Sequence, residues 1–368
     1  MRSEDSRSPK RARHLLGRAQ IEATADWIVA QQRSSGEIPW LRDSKGDPWD
    51  HIHSAMGLTV AGRHQQAEHA YKFLSRSQMR LGGWPSERVG GRVTNGTQES
   101  NHAAYFATGV WHHFCATTDR RFLTEMWPTL LRAIDFVCSL QEEDGTISWA
   151  VAPNGDAWRA PLLTGCSSIY GGLVCAERIA DACGLAKPEW SVARQRLGAV
   201  LRGDLDIFTG RDLPEGIDRY SMDWYYPVLG GALRGDAGRE RLLDQNFIDV
   251  FLSEGVGIRC VADRPWYTVA ETCELVLALD ASGLSERAAQ ILSWMHVFRT
   301  EDGGYWTGRT WPEDVFWPEE LNAWTAATVL IAADALEGVS STSGFFRSLH
   351  VDDEAAEVAQ SSAVLFSA

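Results

Sequence analysis

Gly46-Asp47-Pro48-Trp49-Asp50-His51 sets two carboxylates three residues apart around a proline and an indole. Proline suits a first helical position and aspartate an N-cap, so the stretch predicts a helix entrance. Two acids that close repel, and an adjacent indole lowers the local dielectric. Both effects raise at least one carboxyl pKa, which a general acid requires. The plainer reading is that Asp47 or Asp50 caps the helix. A second acid, Glu271 of Thr268-Val269-Ala270-Glu271-Thr272-Cys273-Glu274, follows the aromatic loop Pro265-Trp266-Tyr267. Its plainer reading is a first-turn glutamate favoured by the helix dipole, with Glu274 an inner structural group. Trp317-Pro318-Glu319-Glu320-Leu321-Asn322-Ala323-Trp324 predicts a third acidic helix start.

Cleaving a glycosidic bond takes a protonated acid for the leaving oxygen and an ionised base for water. Asp47, Asp50, Glu271 and Glu320 are therefore the catalytic candidates, one of the Asp47/Asp50 pair as acid, Glu271 as base and Glu320 in reserve. Glu99, Asn101, His102, Asp223 and Glu319 are candidates for binding sugar hydroxyls, with His51 beside the first acid pair. Trp49, Trp224, Tyr225, Trp266, Tyr267, Trp306 and Trp317 are candidate platforms, since a flat, mostly apolar ring stacks on the C–H face of a sugar. His112 and His113, late in a helical pattern, read as core. No His, Cys, Asp or Glu spacing suits a metal and no glycine-rich loop cradles phosphate, so neither metal nor cofactor is expected.

These residues must be brought together by the elements around them. Six times a Trp- or Gly-rich loop runs into a helix-like segment of small residues, beginning near Trp49, Glu99, Thr164, Ser221, Tyr267 and Trp317. Helical apolar spacing predicts these inner helices near 51–61, 100–115, 165–182, 221–234, 268–280 and 319–336. Amphipathic helices between them are expected near 14–32, 64–79, 119–141, 187–202, 237–252 and 284–298. A polar residue, then Gly, then an aromatic recurs after the amphipathic helices: Gln32…Gly36…Trp40, Gln78…Gly82-Gly83-Trp84, Gln141…Gly145…Trp149 and Asp302-Gly303-Gly304-Tyr305-Trp306. Weaker cognates are Thr209-Gly210-Arg211-Asp212 and Glu254-Gly255-Val256-Gly257. Such a repeat predicts an all-α (α/α)6 barrel, one domain over 13–338, with inner-helix starts converging on one funnel. Residues 1–12 read as a disordered basic tail, and 339–368 as a weakly ordered C-terminal tail docking through Phe345-Phe346 or Leu349.

Composition narrows the partners. The 368-residue chain holds 16 tryptophans and a net charge of -14, which excludes nucleic acid or an anionic membrane as the main partner. An oligosaccharide or polysaccharide is the expected substrate. Seven cysteines without C-x-x-C spacing, and a polar basic start lacking an apolar run, favour the cytoplasm.

The stretch Phe122-Leu123, Trp127-Pro128, Ala133, Asp135-Phe136 and Gln141…Gly145 resembles a hairpin of the six-hairpin glycosidases, the glucoamylase- and trehalase-like superfamily. The resemblance covers about residues 14–336. Within it the chain looks most like the actinobacterial hydrolases of methylmannose polysaccharide. That resemblance implies an inverting endo-α-mannosidase, with Asp47, Asp50 and Glu271 matching acidic positions at the cleavage point. Two rivals share the toroidal pattern. Terpene cyclases and prenyltransferases carry Gln…Gly…Trp repeats, but the cyclase acid motif Asp-x-Asp-Asp is missing here. A glycan-binding toroid would keep the tryptophans without needing paired acids.

Overall fold

The computed structural model describes residues 15–203, 205–208 and 219–351. The tail expected at 1–12, the weak repeat at Thr209-Gly210-Arg211-Asp212 and residues 352–368 lie outside them. Among the described residues the first six α-helices are α1 Arg18–Gln31, α2 Pro48–Val60, α3 His64–Ser77, α4 Ser100–Thr117, α5 Arg120–Ser139 and α6 Leu163–Cys183. Then follow α7 Pro188–Arg202, α8 Met222–Leu229, α9 Gly235–Leu242, α10 Gln245–Phe251, α11 Val269–Ala281, α12 Ser285–Ser293 and α13 Ala323–Glu337.

Small residues decide which helices go inside. α2, α4, α6, α8, α11 and α13 pack side by side in that order, and α13 closes on α2. A Cβ on Gly57 of α2 would sit 2.6 Å from the Ala327 side chain of α13. One on Gly172 of α6 would sit 2.6 Å from the Ala104 carbonyl oxygen of α4. Neither approach tolerates a larger residue, since interiors are close-packed. The amphipathic helices wrap this wall, giving the (α/α)6 barrel.

The glutamine–glycine repeat has one structural meaning wherever it is strong. Gly36, Gly82, Gly145 and Gly303 all have positive φ, between 91° and 113°, which only glycine adopts without strain. Gln32, Gln78 and Gln141 each donate through Nε2 to the carbonyl of the turn, at Gly36 (3.1 Å), Gly82 (2.7 Å) and Gly145 (3.1 Å). The same amides also donate to Gln66 in α3, Thr129 in α5 and Ala193 in α7. Each turn thus docks on the next outer helix, and Gly303 abuts Ala23 of α1.

Four boundaries differ from expectation. The inner helix expected at 319–336 begins only at Ala323, because the Asn322 side chain accepts from Trp324 N (2.8 Å) as its cap. Bridge pairing of Trp306 with Leu321, and Thr307 N donating to the Glu320 carbonyl, keep 319–321 extended. α8 stops at Leu229, ahead of Gly230-Gly231, rather than running to 234. The outer helix expected at 237–252 is split into α9 and α10, the second capped by Asp244. The one expected at 284–298 tightens into a 3-10 segment over Trp294–Phe298.

Short antiparallel strands occur in the connections entering the inner helices, forming three small sheets. One holds Lys45–Gly46, another Gln98–Glu99 with Ala150–Val151 and Ala157–Trp158, and the largest contains Trp266–Thr268. All therefore decorate the mouth where inner helices begin.

The opposite mouth is plugged. Ser340 donates to Asp334 of α13, Ser341 to the Cys115 carbonyl of α4, and Arg178 of α6 to the Ser348 carbonyl. Arg347 pairs with Asp280 of α11, and Phe345, Phe346 and Leu349 are buried. Residues 340–349 thus sit against the barrel, with Phe345, Phe346 and Leu349 turned inward. No helix among the described residues is long and apolar enough to cross a membrane.

Candidate active site

A cleft of about 440 Å³ opens at the strand-decorated mouth. Asp47, Trp49 and Asp50 line one side, with Glu99, Asn101 and His102 beside them, all at the starts of α2 and α4. Trp40, Trp149 and Trp324 complete an aromatic wall, and Ser86 and Lys45 add polar groups.

The two aspartates of the first motif divide their work. Asp47 is the N-cap of α2: Oδ1 accepts from Asp50 N (2.9 Å) and Oδ2 from Trp40 Nε1 (3.2 Å). Asp50, the third residue of that helix, is buried, and its Oδ2 has no hydrogen-bond partner among the described residues. Burial drives its pKa well above the ordinary aspartate range, and the charges of Asp47, Glu271 and Glu274 push it further; only Lys45 opposes them. A carboxyl so placed keeps its proton, as a general acid must. Trp49 stacks on Tyr105 at 3.9 Å, excluding water from beside it.

Glu271 is the third residue of α11 and buried, near the Cys260 thiol. One turn further, Glu274 is wholly buried and accepts from the hydroxyls of Tyr225 and Tyr226, both at 2.7 Å. Burial lifts Glu274 to about 8, with the Glu271 charge adding and the two tyrosines opposing. Three acids therefore sit close enough at one end of the barrel to sense one another's charge.

Several buried polar atoms around the cleft have no partner among the described residues: Asn101 Oδ1, His102 Nδ1, Ser86 Oγ and Trp324 Nε1. Buried polar groups are normally satisfied, so an unpaired set on residues that line one cleft suits a polyhydroxylated ligand. Glu99 accepts from Trp149 Nε1 (3.1 Å) and faces His102 Nε2 at 3.6 Å, fixing both rings.

Other candidates have structural duties. His51 is locked inside, its Nδ1 accepting from Ile38 N (2.9 Å) and its Nε2 donating to the Ala70 carbonyl (3.0 Å). Burial lowers its pKa to about 4, so it is neutral, and both ring nitrogens are already engaged by backbone. Trp224 is buried with its ring stacked on Phe247 and its N–H on the Arg241 carbonyl, and Tyr225 is buried on Glu274. Neither offers a free face for stacking. Asp223 accepts from Thr164 N (3.0 Å) and Thr164 Oγ1 (2.7 Å), holding the start of α6. Tyr267 is buried against Ser253 and Arg259, and Trp306 stacks on Phe316. Trp266 and Trp317 pack edge to face at the surface. Glu319 is exposed and Glu320 half-buried on the loop before α13, so neither occupies a helical first turn. His112 and His113 are buried, as read.

Trp324, Trp40 and Trp149 stand in the motifs and loops already singled out, yet their place in the cleft is visible only in three dimensions. Ser86 gives no sequence signal. No group of His, Cys, Asp and Glu among the described residues is arranged to hold a metal.

The chain is 46% identical over 333 residues to the MMP endo-(1,4)-3-O-methyl-alpha-D-mannosidase of Mycolicibacterium hassiacum, covering 90% of each. It belongs to this mannosidase family. The protein is thus a glycoside hydrolase, which sets aside the cyclase and binder readings. No family profile matches it. Among solved structures, a wild-type glycosidase superposes with a TM-score of 0.63 at 15% identity, over 87% of this chain and 96% of that one. An α-amylase from Clostridium perfringens gives 0.61 at 10% identity, over 86% and 97%, and a D-mannose isomerase 0.60 at 10%, over 86% and 96%. These distant likenesses concern the fold alone.

Proposed function

We propose that this mannosidase-family enzyme cuts α-(1→4)-linked, 3-O-methylated mannan internally, with inversion, using Asp50 as general acid and Glu271 as general base. The observation that carries the reading is Asp50: a buried carboxyl, crowded by three others, on the wall of a tryptophan-lined cleft. The relative's name, which specifies a 3-O-methyl-mannose substrate and endo cleavage, supports the substrate class. A methylated sugar exposes more apolar surface than a plain one, and an aromatic wall suits it.

In this mechanism the Asp50 proton goes to the glycosidic oxygen as the bond from the anomeric carbon breaks. Glu271 takes a proton from water, whose oxygen bonds to that carbon from the opposite face. The base becomes neutral, the acid ionised, and exchange with solvent resets both. Asp47 fixes the turn that aims Asp50, and Glu320 remains the reserve base. Asn101, His102, Ser86 and Trp324 hold hydroxyl or ether oxygens. Seven free cysteines support a cytoplasmic setting.

The test is proton NMR of the first-formed anomer, with methylated mannan, plain mannan and amylose as substrates. A β-anomer released first from methylated mannan fits inversion; an α-anomer first would overturn it. Equal rates on amylose would overturn the substrate class.

A further inference from the structure

Two exposed indoles stand on the connections that enter inner helices, each braced by a second tryptophan. Trp158 is 45% exposed and meets Trp149 at 5.0 Å and 62°. Trp149 lines the cleft and donates to Glu99 at the start of α4. Trp317 is 54% exposed and meets Trp266 at 5.1 Å and 88°, its carbonyl accepting from Trp266 Nε1 (2.5 Å). Trp266 lies on the strand Trp266–Thr268 that runs straight into α11 and Glu271.

Ring order places these pairs on opposite sides of the acid. α4 neighbours α2 on one side; α13, then α11, neighbour it on the other. A chain crossing the mouth over Asp50 therefore meets Trp158 at one end and Trp317 at the other. Glu271 lies five residues along the chain from Trp266, so their Cα atoms lie at most about 18 Å apart, within reach of a few sugar units.

Single exposed apolar residues are ordinary. These two differ in being held. Trp158 is paired through Ala150 in the sheet that includes Glu99, and Trp317 N donates to the Gly308 carbonyl (3.0 Å). A fixed ring loses little entropy on binding and offers its open face to a sugar.

Resting on the hydrolase reading above, we propose that Trp158 and Trp317 are outlying platforms that bind the polysaccharide on either side of the cleavage point. The cleft is then a channel open at both ends, and a long chain gains contacts that a short one lacks.

The experiment compares wild type, Trp158→Ala, Trp317→Ala and the double variant on a long methylated mannan and on a short oligosaccharide filling only the central cleft. Each single variant is expected to lower kcat/KM on the long chain about tenfold relative to the short one, with unchanged melting temperature. Product lengths should also shift, differently for the two variants. Equal effects on long and short chains, or no effect on either, overturn the platforms while leaving the hydrolase intact. Should wild type cleave neither chain, the methylated-mannan reading falls, and affinity electrophoresis of Asp50→Asn protein in methylated mannan judges the platforms. Retardation lost with the two indoles supports them; retardation that persists overturns them.

Discussion

Asp50 and Glu271 occupy the same position, the third residue, of two inner helices that both border α13. Side chains in a helical first turn point toward its N-terminus, so both acids are aimed at the one mouth. Burial and the neighbouring carboxylates push the Asp50 pKa well above the ordinary aspartate range. One geometric equivalence thus underlies the two roles proposed.

Replacing the acid tests that division. Asp50→Asn should lower kcat/KM about 10²–10⁴-fold, the usual worth of a general acid. Folding should be kept, since a neutral amide suits the buried site at least as well as the carboxyl. Steady-state rates with thermal melts check both halves; a variant within threefold of wild type would remove Asp50 from the mechanism.

The pH dependence of stability should betray Glu274. In the folded protein it keeps its proton up to about pH 8, whereas an ordinary glutamate releases it near 4.5. Between those values the native state binds more protons than the unfolded one, so this group's contribution is full below 4.5 and lost as pH rises through 8. Melting temperature should fall across that window in wild type and fall less in Glu274→Gln. Parallel curves for the two proteins would disprove the assignment.

Asp47 should matter first as a cap. Asp47→Ala removes the acceptor for Asp50 N and is expected to cost about 1 kcal/mol in urea denaturation. Activity should drop less than in Asp50→Asn, because the acid itself remains. A larger activity loss than that of Asp50→Asn would make Asp47 the acid instead.

His51 and Asn101 should separate cleanly. His51→Ala strands the Ile38 N–H and the Ala70 carbonyl, costing about 1–3 kcal/mol or more of stability. Asn101→Ala should leave stability nearly unchanged and raise KM severalfold, since its Oδ1 has no partner among the described residues. Denaturant midpoints and Michaelis constants distinguish them, and the reverse pattern would exchange their roles.

The barrel was legible because its signals are local and repeated. Gly36, Gly82, Gly145 and Gly303 mark turns by a backbone conformation that other residues avoid, and small residues mark the inner wall. The placement of Asp50 and Glu271 was legible because motif and helix start coincide there. The site was not legible where function depends on which way a ring points. Trp224 and Trp49 stand in similar aromatic, acidic contexts, yet one is sealed beneath Phe247 and the other faces the cleft. Glu319 and Glu320 precede the helix they were expected to open, for a backbone reason: pairing of Leu321 with Trp306 delays it to Ala323. Ser86 could not have been found, since only the fold carries it to the cleft.

Gly303 touching Ala23 makes the first helix and the last hairpin neighbours, so the polypeptide bites its own tail. A linear solenoid can gain or shed a copy at either terminus; here the circumference admits only a fixed number of spokes. Within a closed ring, length can change without breaking closure only in the loops at its mouths, one of which holds the starts of the helices carrying Asp50 and Glu271.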